Sequence, residues 1–164
     1  AIRAALTRPR DPAQTLKDAA DMRGRLEKDT GRVEVWNVKS APGGLIDIEF
    51  IAQALMAAHA GRNPDVLRAN TREALLALRD AGVLPEADAE ALVSALTLFE
   101  NVLHVLRLTV DEPFKPSEAS ASLRALIGRA AEQTSFEAVE AALTVTMTDV
   151  RARFQRLVGA VGAS

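Results

Sequence analysis

The chain has 164 residues, of which 48% are hydrophobic, and its formal net charge is -2 at pH 7. A chain of this length and composition can bury the core of one folded domain, and its charge gives no electrostatic reason to expect nucleic acid or an anionic membrane as a partner. It has no cysteine, which excludes disulfides, thiolate metal sites and cysteine nucleophiles and suits a reducing cytoplasm. We see no signal peptide and no apolar run of the roughly 18–20 residues that span a membrane, so we expect a cytoplasmic protein without a membrane partner.

Helical periodicity and punctuating residues divide the chain into five to six helices. Asp11 is suited to cap the first helix, Pro12 fits its first turn and Gly31 ends it. Thr134-Ser135-Phe136-Glu137 matches a capping box, in which the Thr and Glu side chains satisfy each other's backbone amides. The predicted helices span about 12–28, 45–60, 71–81, 85–110, 120–131 and from the capping box to 158, with a short helical turn at 64–68.

One segment departs from the helical pattern. Val33, Val35, Trp36 and Val38 are β-branched or aromatic, which favours a short strand or extended segment, and we expect Trp36 to pack it onto the bundle. A turn at 40–44 follows. The sequence therefore predicts a single all-α domain over residues 1–164, a helical bundle with one short extended segment before a Gly-Gly turn.

Residues 43–50 read GGLIDIEF and place two carboxylates among apolar neighbours. In a strand, Asp47 and Glu49 would share a face, a pattern that suits Mg²⁺. In a helix they lie about 200° apart and cannot share a metal. The apolar, Ala-rich run continues to Ala58 without a breaker, which favours the helix. Because this helix is apolar nearly all round, we expect it to be central.

Glu49 and Gln53 lie on one stripe of this helix with Ile46 and Met56. We expect them to be half-buried and to need partners, and Lys39 is the nearest cationic candidate. Two interpretations are open. The polar groups either form a structural network that pins the turn to the helix, or face a substrate or neighbouring domain, where the amides of a Gly-Gly helix start suit an anion such as phosphate.

Other polar residues have structural interpretations. A charged His59 suits the end of its helix, and His104 fits a satisfied core or boundary position. We expect a solvated basic face on the last helix, formed by Arg151, Arg153 and Arg156. It is not a nucleic-acid stripe, since no aromatic residues interleave with these arginines. With two histidines and no cysteine, no metal site is expected.

A family signature surrounds the double glycine. It reads Lys39-x-x-x-Gly43-Gly44-Leu45-Ile46-Asp47-Ile48-Glu49-Phe50-Ile51-x-Gln53 and closely resembles that of glutamine-synthetase adenylyltransferases, bifunctional enzymes that add and remove AMP on glutamine synthetase. The resemblance covers most of the chain and extends to Met22-Arg23, Arg68-x-Asn70-Thr71, Ala81-Gly82-Val83-Leu84 and His104. Ile46-Asp47 resembles the adenylylating half, because the removing half typically has Arg-Glu there. Leu103 departs from the family, which often has Glu before the His.

Such enzymes have two similar halves, each with a nucleotidyltransferase domain followed by an all-helical domain. The resemblance implies that the chain is the helical C-terminal fragment of a larger multidomain enzyme. The parent enzyme would use ATP and Mg²⁺ to transfer AMP to a tyrosine of glutamine synthetase. The chain lacks the Gly-Ser turn and paired aspartates that this chemistry requires, so we expect no catalytic residue, metal or cofactor within it.

The resemblance also implies partners: the upstream nucleotidyltransferase domain, glutamine synthetase and the PII signal protein. The candidate substrate-facing or interdomain residues are Lys39, Gly43, Gly44, Asp47, Glu49 and Gln53. The alternative is a free-standing helical interaction module, without a catalytic role, whose helix grooves bind a partner peptide.

Overall fold

A computed structural model describes residues 2–31, 33–110 and 113–161, and every regular element within these ranges is helical. The elements are α1 (Ile2–Leu6), α2 (Pro12–Thr30), α3 (Leu45–His59), α4 (Thr71–Asp80), α5 (Glu86–Thr109), α6 (Ala121–Ala130) and α7 (Phe136–Leu157), with 3₁₀ turns at Pro64–Val66 and Pro116–Glu118. The predicted all-α fold is confirmed. The helix α1 was not predicted, and part of the predicted break after α5, Asp111 and Glu112, lies outside the described residues.

The caps of the helices explain where they begin. The Asp11 carboxylate accepts a hydrogen bond from the Ala13 amide, as predicted. The capping box at the last helix is one residue out of register, because the cap of α7 is Ser135 and not Thr134. The Ser135 hydroxyl accepts from the Ala138 amide at 3.1 Å, which satisfies one of the amides that a helix start leaves unpaired.

The segment at 33–38 is not a strand. It forms consecutive turns, in which the Asn37 amide donates to the Glu34 carbonyl at 3.0 Å and the Ala41 amide donates to the Asn37 carbonyl at 2.9 Å. The structure describes no strand that pairs with it, and turns satisfy these backbone groups locally instead.

Trp36 attaches these turns to the bundle, as predicted. Its ring stacks on Phe136 with centroids 4.7 Å apart and meets the edge of Phe114 at 5.1 Å. Its indole nitrogen donates to the Glu140 carboxylate at 2.7 Å. The side chain thus buries a large apolar surface and keeps its one polar group satisfied.

The helices α3 and α5 lie at the centre of the bundle. Each contacts the other and also α4 and α7, and α3 additionally contacts α2 while α5 contacts α6. In contrast to the sequence expectation, α5 is long and apolar enough to cross a membrane, with a window of mean hydropathy 1.4. A helix that contacts four others in a bundle core has the same composition, so this property is weak support for a membrane span.

Candidate functional site

The turn before α3 uses its own backbone amides. The donor–acceptor pairs are Gly44 N to Ala41 O (2.8 Å), Leu45 N to Val38 O (2.9 Å), Ile46 N to Lys39 O (3.0 Å), Asp47 N to Gly44 O (3.1 Å) and Gly43 N to Asp47 Oδ2 (2.7 Å). A helix start attracts anions through amides that lack a partner. The amides from Gly43 to Asp47 all have partners, so the prediction that this turn offers free amides to a phosphate is wrong.

The two glycines are required by the chain's own packing. Gly43 has φ of +79°, and a Cβ there would lie 1.9 Å from the carbonyl oxygen of Met147 in α7. A Cβ on Gly44 would lie 2.4 Å from the carbonyl oxygen of Val38. The absence of side chains therefore lets the turn approach α7 and fold back on itself.

Asp47 is the buried carboxylate of this region, with no exposed surface. Its Oδ1 accepts from Arg23 Nε, and its Oδ2 accepts from Arg151 Nη1 at 2.9 Å as well as from the Gly43 amide. Arg23 is itself 1% exposed. One carboxylate thus ties α2, α3, α7 and the glycine turn together.

Glu27 balances the second arginine. Arg151 Nη2 donates to Glu27 Oε2 at 2.6 Å, and Arg23 Nη1 lies 3.8 Å from the same oxygen. We call Arg23, Glu27, Asp47 and Arg151 the Asp47 network. Its two positive and two negative charges compensate one another, which a buried carboxylate and guanidinium require.

The six candidate residues divide into an inner and an outer group. Gly43, Gly44 and Asp47 are buried, whereas Lys39 and Gln53 are exposed and Glu49 is half-buried. Asp47 and Glu49 point in nearly opposite directions because they lie two residues apart on a helix. We call Glu49 and Gln53 of α3, together with Lys39 of the turn before this helix, the outer edge of α3.

The predicted pairing of Glu49 with Lys39 is wrong. Neither side chain makes a hydrogen bond or ion pair with any other residue that the structure describes. The carboxylate that needed a buried partner is Asp47, and its partners are Arg23 and Arg151. The structural network expected at the turn therefore exists, with different members.

The arginines of α7 were also wrongly interpreted. Arg151 belongs to the Asp47 network, and Arg153 and Arg156 both donate to the Asp88 carboxylate at the start of α5. The face predicted to be solvated and basic joins α7 to three other helices, and of its three arginines only Arg156 is exposed. The one sequence signal for these contacts is the acidic first turn of α5. A carboxylate there suits the helix dipole, but the sequence does not indicate which residue pairs with it.

The arginines lower the pKa of Asp88. Burial on its own raises the pKa of this carboxyl, but the hydrogen bond from Arg156 and the charges of Arg156 and Arg153 outweigh burial and bring the pKa below its ordinary value of 3.8. Asp88 is therefore ionised at neutral pH and holds both arginines.

The two histidines differ from their predicted roles. Burial, and secondly the charge of Arg62, lowers the pKa of His59 from its ordinary value of 6.5. The side chain is therefore mostly neutral at pH 7, and the prediction of a charged His59 at the helix end is wrong. His104 is exposed on α5 and is not a core residue.

The described residues form an all-helical domain in which no three His, Asp or Glu side chains meet as a candidate metal site. The model of the family described as GlnD PII-uridylyltransferase matches residues 14–158, and the chain belongs to this family.

Curated relatives give a second match. The chain is 44% identical over 158 residues to the bifunctional glutamine synthetase adenylyltransferase/adenylyl-removing enzyme of Rhodopseudomonas palustris (strain TIE-1). It is 40% identical over 156 residues to the enzyme of that name from Bradyrhizobium diazoefficiens and 39% identical over 156 residues to that from Xanthobacter autotrophicus. These alignments cover 95–96% of this chain and 16% of each relative. The resemblance to these enzymes is confirmed, and the chain spans about a sixth of their length.

Proposed function

We propose that this chain is the helical C-terminal domain of the adenylylating half of a glutamine-synthetase adenylyltransferase. The observation that carries the proposal is the 44% identity over 96% of the chain to an enzyme whose name includes both adenylyl transfer and removal. Ile46-Asp47 supports the adenylylating half, because the removing half typically has Arg-Glu at these positions. The parent enzyme would transfer AMP from ATP to a tyrosine of glutamine synthetase in the cytoplasm and so regulate nitrogen assimilation.

In this proposal, ATP and Mg²⁺ belong to the nucleotidyltransferase domain upstream. The residues of this chain do not fit them: the structure describes no cluster of metal ligands, and the amides at the start of α3 already have partners. The buried carboxylate next to the turn, that of Asp47 in α3, is held by two arginines and a backbone amide. We therefore assign no catalytic residue to this chain and expect it to transfer no AMP by itself.

The domain's contribution is a surface held in one position. The Asp47 network fixes α3 against α2 and α7 and joins the glycine turn to them. The outer edge of α3 then presents Lys39, Glu49 and Gln53 without partners among the described residues. Unpaired charged and amide groups on a rigid helix and on the turn that precedes it are available to a neighbouring protein surface. We assign to this edge the contacts with the nucleotidyltransferase domain and its nucleotide site, and those with glutamine synthetase or PII.

The test measures both activities of the complete enzyme. Lys39→Ala and Glu49→Ala are made in the full-length protein, with Glu90→Ala on the exposed face of α5 as the matched control. We expect each of the first two variants to lower AMP transfer to glutamine synthetase by about tenfold while AMP removal from adenylylated glutamine synthetase is unchanged. Loss of removal with normal transfer would place this chain in the other half. AMP transfer by the isolated chain would contradict the absence of catalytic residues.

A further inference from the structure

An apolar groove lies on a side of α3 remote from Asp47. The side chains of α1, α3 and the segment after the first 3₁₀ turn form its walls, and it encloses a cavity volume of about 660 Å³. The apolar lining residues are Ile2, Leu6, Met56, Ala57, Leu67 and Ala69, and Gln53 of the outer edge of α3 lies beside them. Ile2 is 80% exposed and Leu6 45% exposed. Large apolar side chains left in contact with water along a groove are typical of an interaction site.

The charged residues of this groove all have the same sign. They are Arg3, Arg10 and Arg68. Arg68 is held by the carbonyl oxygens of Asp65 and Leu67, at 2.6 and 2.8 Å. Arg3 makes one long ion pair of 4.0 Å with the exposed Asp65, and Arg10 makes no hydrogen bond or ion pair with a described residue. Arg10 is therefore available to an acidic ligand, and Arg3 is only weakly occupied.

We propose that this groove binds an amphipathic helix with acidic residues beside its apolar face, supplied by a partner protein. Apolar side chains at helical spacing would contact Leu6 and Met56, and acidic side chains would lie next to Arg3 and Arg10. The groove is concave, and Ala57 lies in its lining. A convex helix fills such a shape, whereas a flat lipid surface reaches only the exposed rim at Ile2 and Leu6. This inference does not depend on the proposed enzymatic assignment.

The probe is a synthetic peptide of about 20 residues, long enough to form a helix in isolation, with leucines at i, i+3, i+4 and i+7 spacing and glutamates beside them. Fluorescence anisotropy measures its binding to the 164-residue chain. We expect saturable binding that weakens at least about tenfold in Leu6→Glu and about tenfold in Arg10→Glu, and that weakens as salt is raised. Val145→Glu, at an exposed apolar residue of α7, is the matched control and should bind like the unchanged protein. Circular dichroism confirms that the variants are folded.

A charge exchange makes the test specific. A second peptide, with lysines in place of the glutamates, should bind the unchanged protein poorly and Arg10→Glu better. Equal binding of both peptides, or none of either, overturns the proposal. If the protein sediments with phosphatidylcholine–phosphatidylglycerol vesicles and Leu6→Glu abolishes this binding, the occupant of the groove is a membrane. If light scattering shows a dimer and Leu6→Glu dissociates it, the occupant is a second copy of this chain. Either result would replace the partner helix.

Discussion

Asp47 and Asp88 show two uses of the same arrangement. Each is the third residue of a central helix, Asp47 in α3 and Asp88 in α5. Each accepts hydrogen bonds from arginines of α7. An acid in the first turn of a helix is favoured by the helix dipole, and an arginine on a neighbouring helix then converts it into a link between two elements.

The difference lies in the partners. Asp47 is fully buried and pairs with Arg23, whose side chain is only 2% exposed. The side chain of Asp88 is 5% exposed, but its partners Arg153 and Arg156 are 22% and 56% exposed. If Asp47 is removed, the buried guanidinium of Arg23 loses its hydrogen-bonded charge partner and keeps only the 3.8 Å ion pair with Glu27, which Arg151 also holds. If Asp88 is removed, its arginines can turn to water, so the same chemical change has a smaller cost.

The largest expected effect is that of Asp47→Asn, which removes the charge and keeps the shape. We expect the free energy of unfolding to fall by about 3–5 kcal/mol, the typical cost of breaking a buried ion pair from one side. Urea unfolding followed by Trp36 fluorescence measures the loss. Asp65→Asn, at a side chain 93% exposed, is the control and should change stability by less than about 0.5 kcal/mol. Equal small losses for both variants would show that the Asp47 network is not what holds the turn.

The glycine turn allows a sharper version of the same test. Gly43 and Gly82 have similar φ angles, +79° and +72°, but a Cβ on Gly82 meets nothing within 4 Å while one on Gly43 meets the Met147 carbonyl. Gly82→Ala should cost about 1–2 kcal/mol for the backbone conformation alone. Gly43→Ala should cost a further 1–3 kcal/mol, roughly the penalty for overpacking. Thermal or urea unfolding of the pair isolates the contact with α7, and equal losses would mean that the turn can move away from it.

Asp88→Asn should have an intermediate effect that depends on pH. We expect a loss of about 1–2 kcal/mol at pH 7, because hydrogen bonds to charged groups stabilise but the partners are partly solvated. The pKa of Asp88 is lowered on folding, so its contribution is fully present above its unfolded value of about 3.8 and is lost as the pH falls through the lower folded value. The stability difference between the variant and the unchanged chain should therefore shrink in urea unfolding below pH 4. A difference that stays constant from pH 7 to pH 3 would contradict this role for Asp88.

The sequence was sufficient for much of the fold, because the signals of helix ends are local. Asp11 caps α2 as predicted, Asn70 caps α4, and Gly31 follows the end of α2. The helix α1 has only five residues, too few to show a periodicity. The valines at 33–38 favour a strand, but a strand forms only where a partner strand exists, and turns form here instead.

Only part of the candidate site, the glycine turn and Asp47, was predictable from the sequence, and its contacts were not. Asp47 and both glycines are recognisable from the sequence pattern. Arg151, however, is 104 residues from Asp47, and no local rule predicts a pairing over that distance. An arginine on an amphipathic helix is usually solvated, which is why its burial beside α2 and α3 was missed.

The smallest expected effect on stability, and the most informative for function, is that of Glu49→Ala. Because Glu49 has no partner among the described residues and is partly exposed, its loss should change the free energy of unfolding of this chain by less than about 0.5 kcal/mol. In the full-length enzyme the same change should lower AMP transfer by about tenfold, which corresponds to one interaction of about 1.4 kcal/mol at the domain boundary. For Asp47→Asn the larger effect should instead be the loss of stability, which is expected in the isolated chain. A loss of 2 kcal/mol or more in Glu49→Ala would show that Glu49 has a partner within this domain. Normal AMP transfer by a stable Glu49→Ala enzyme would show that the outer edge of α3 faces away from the chemistry.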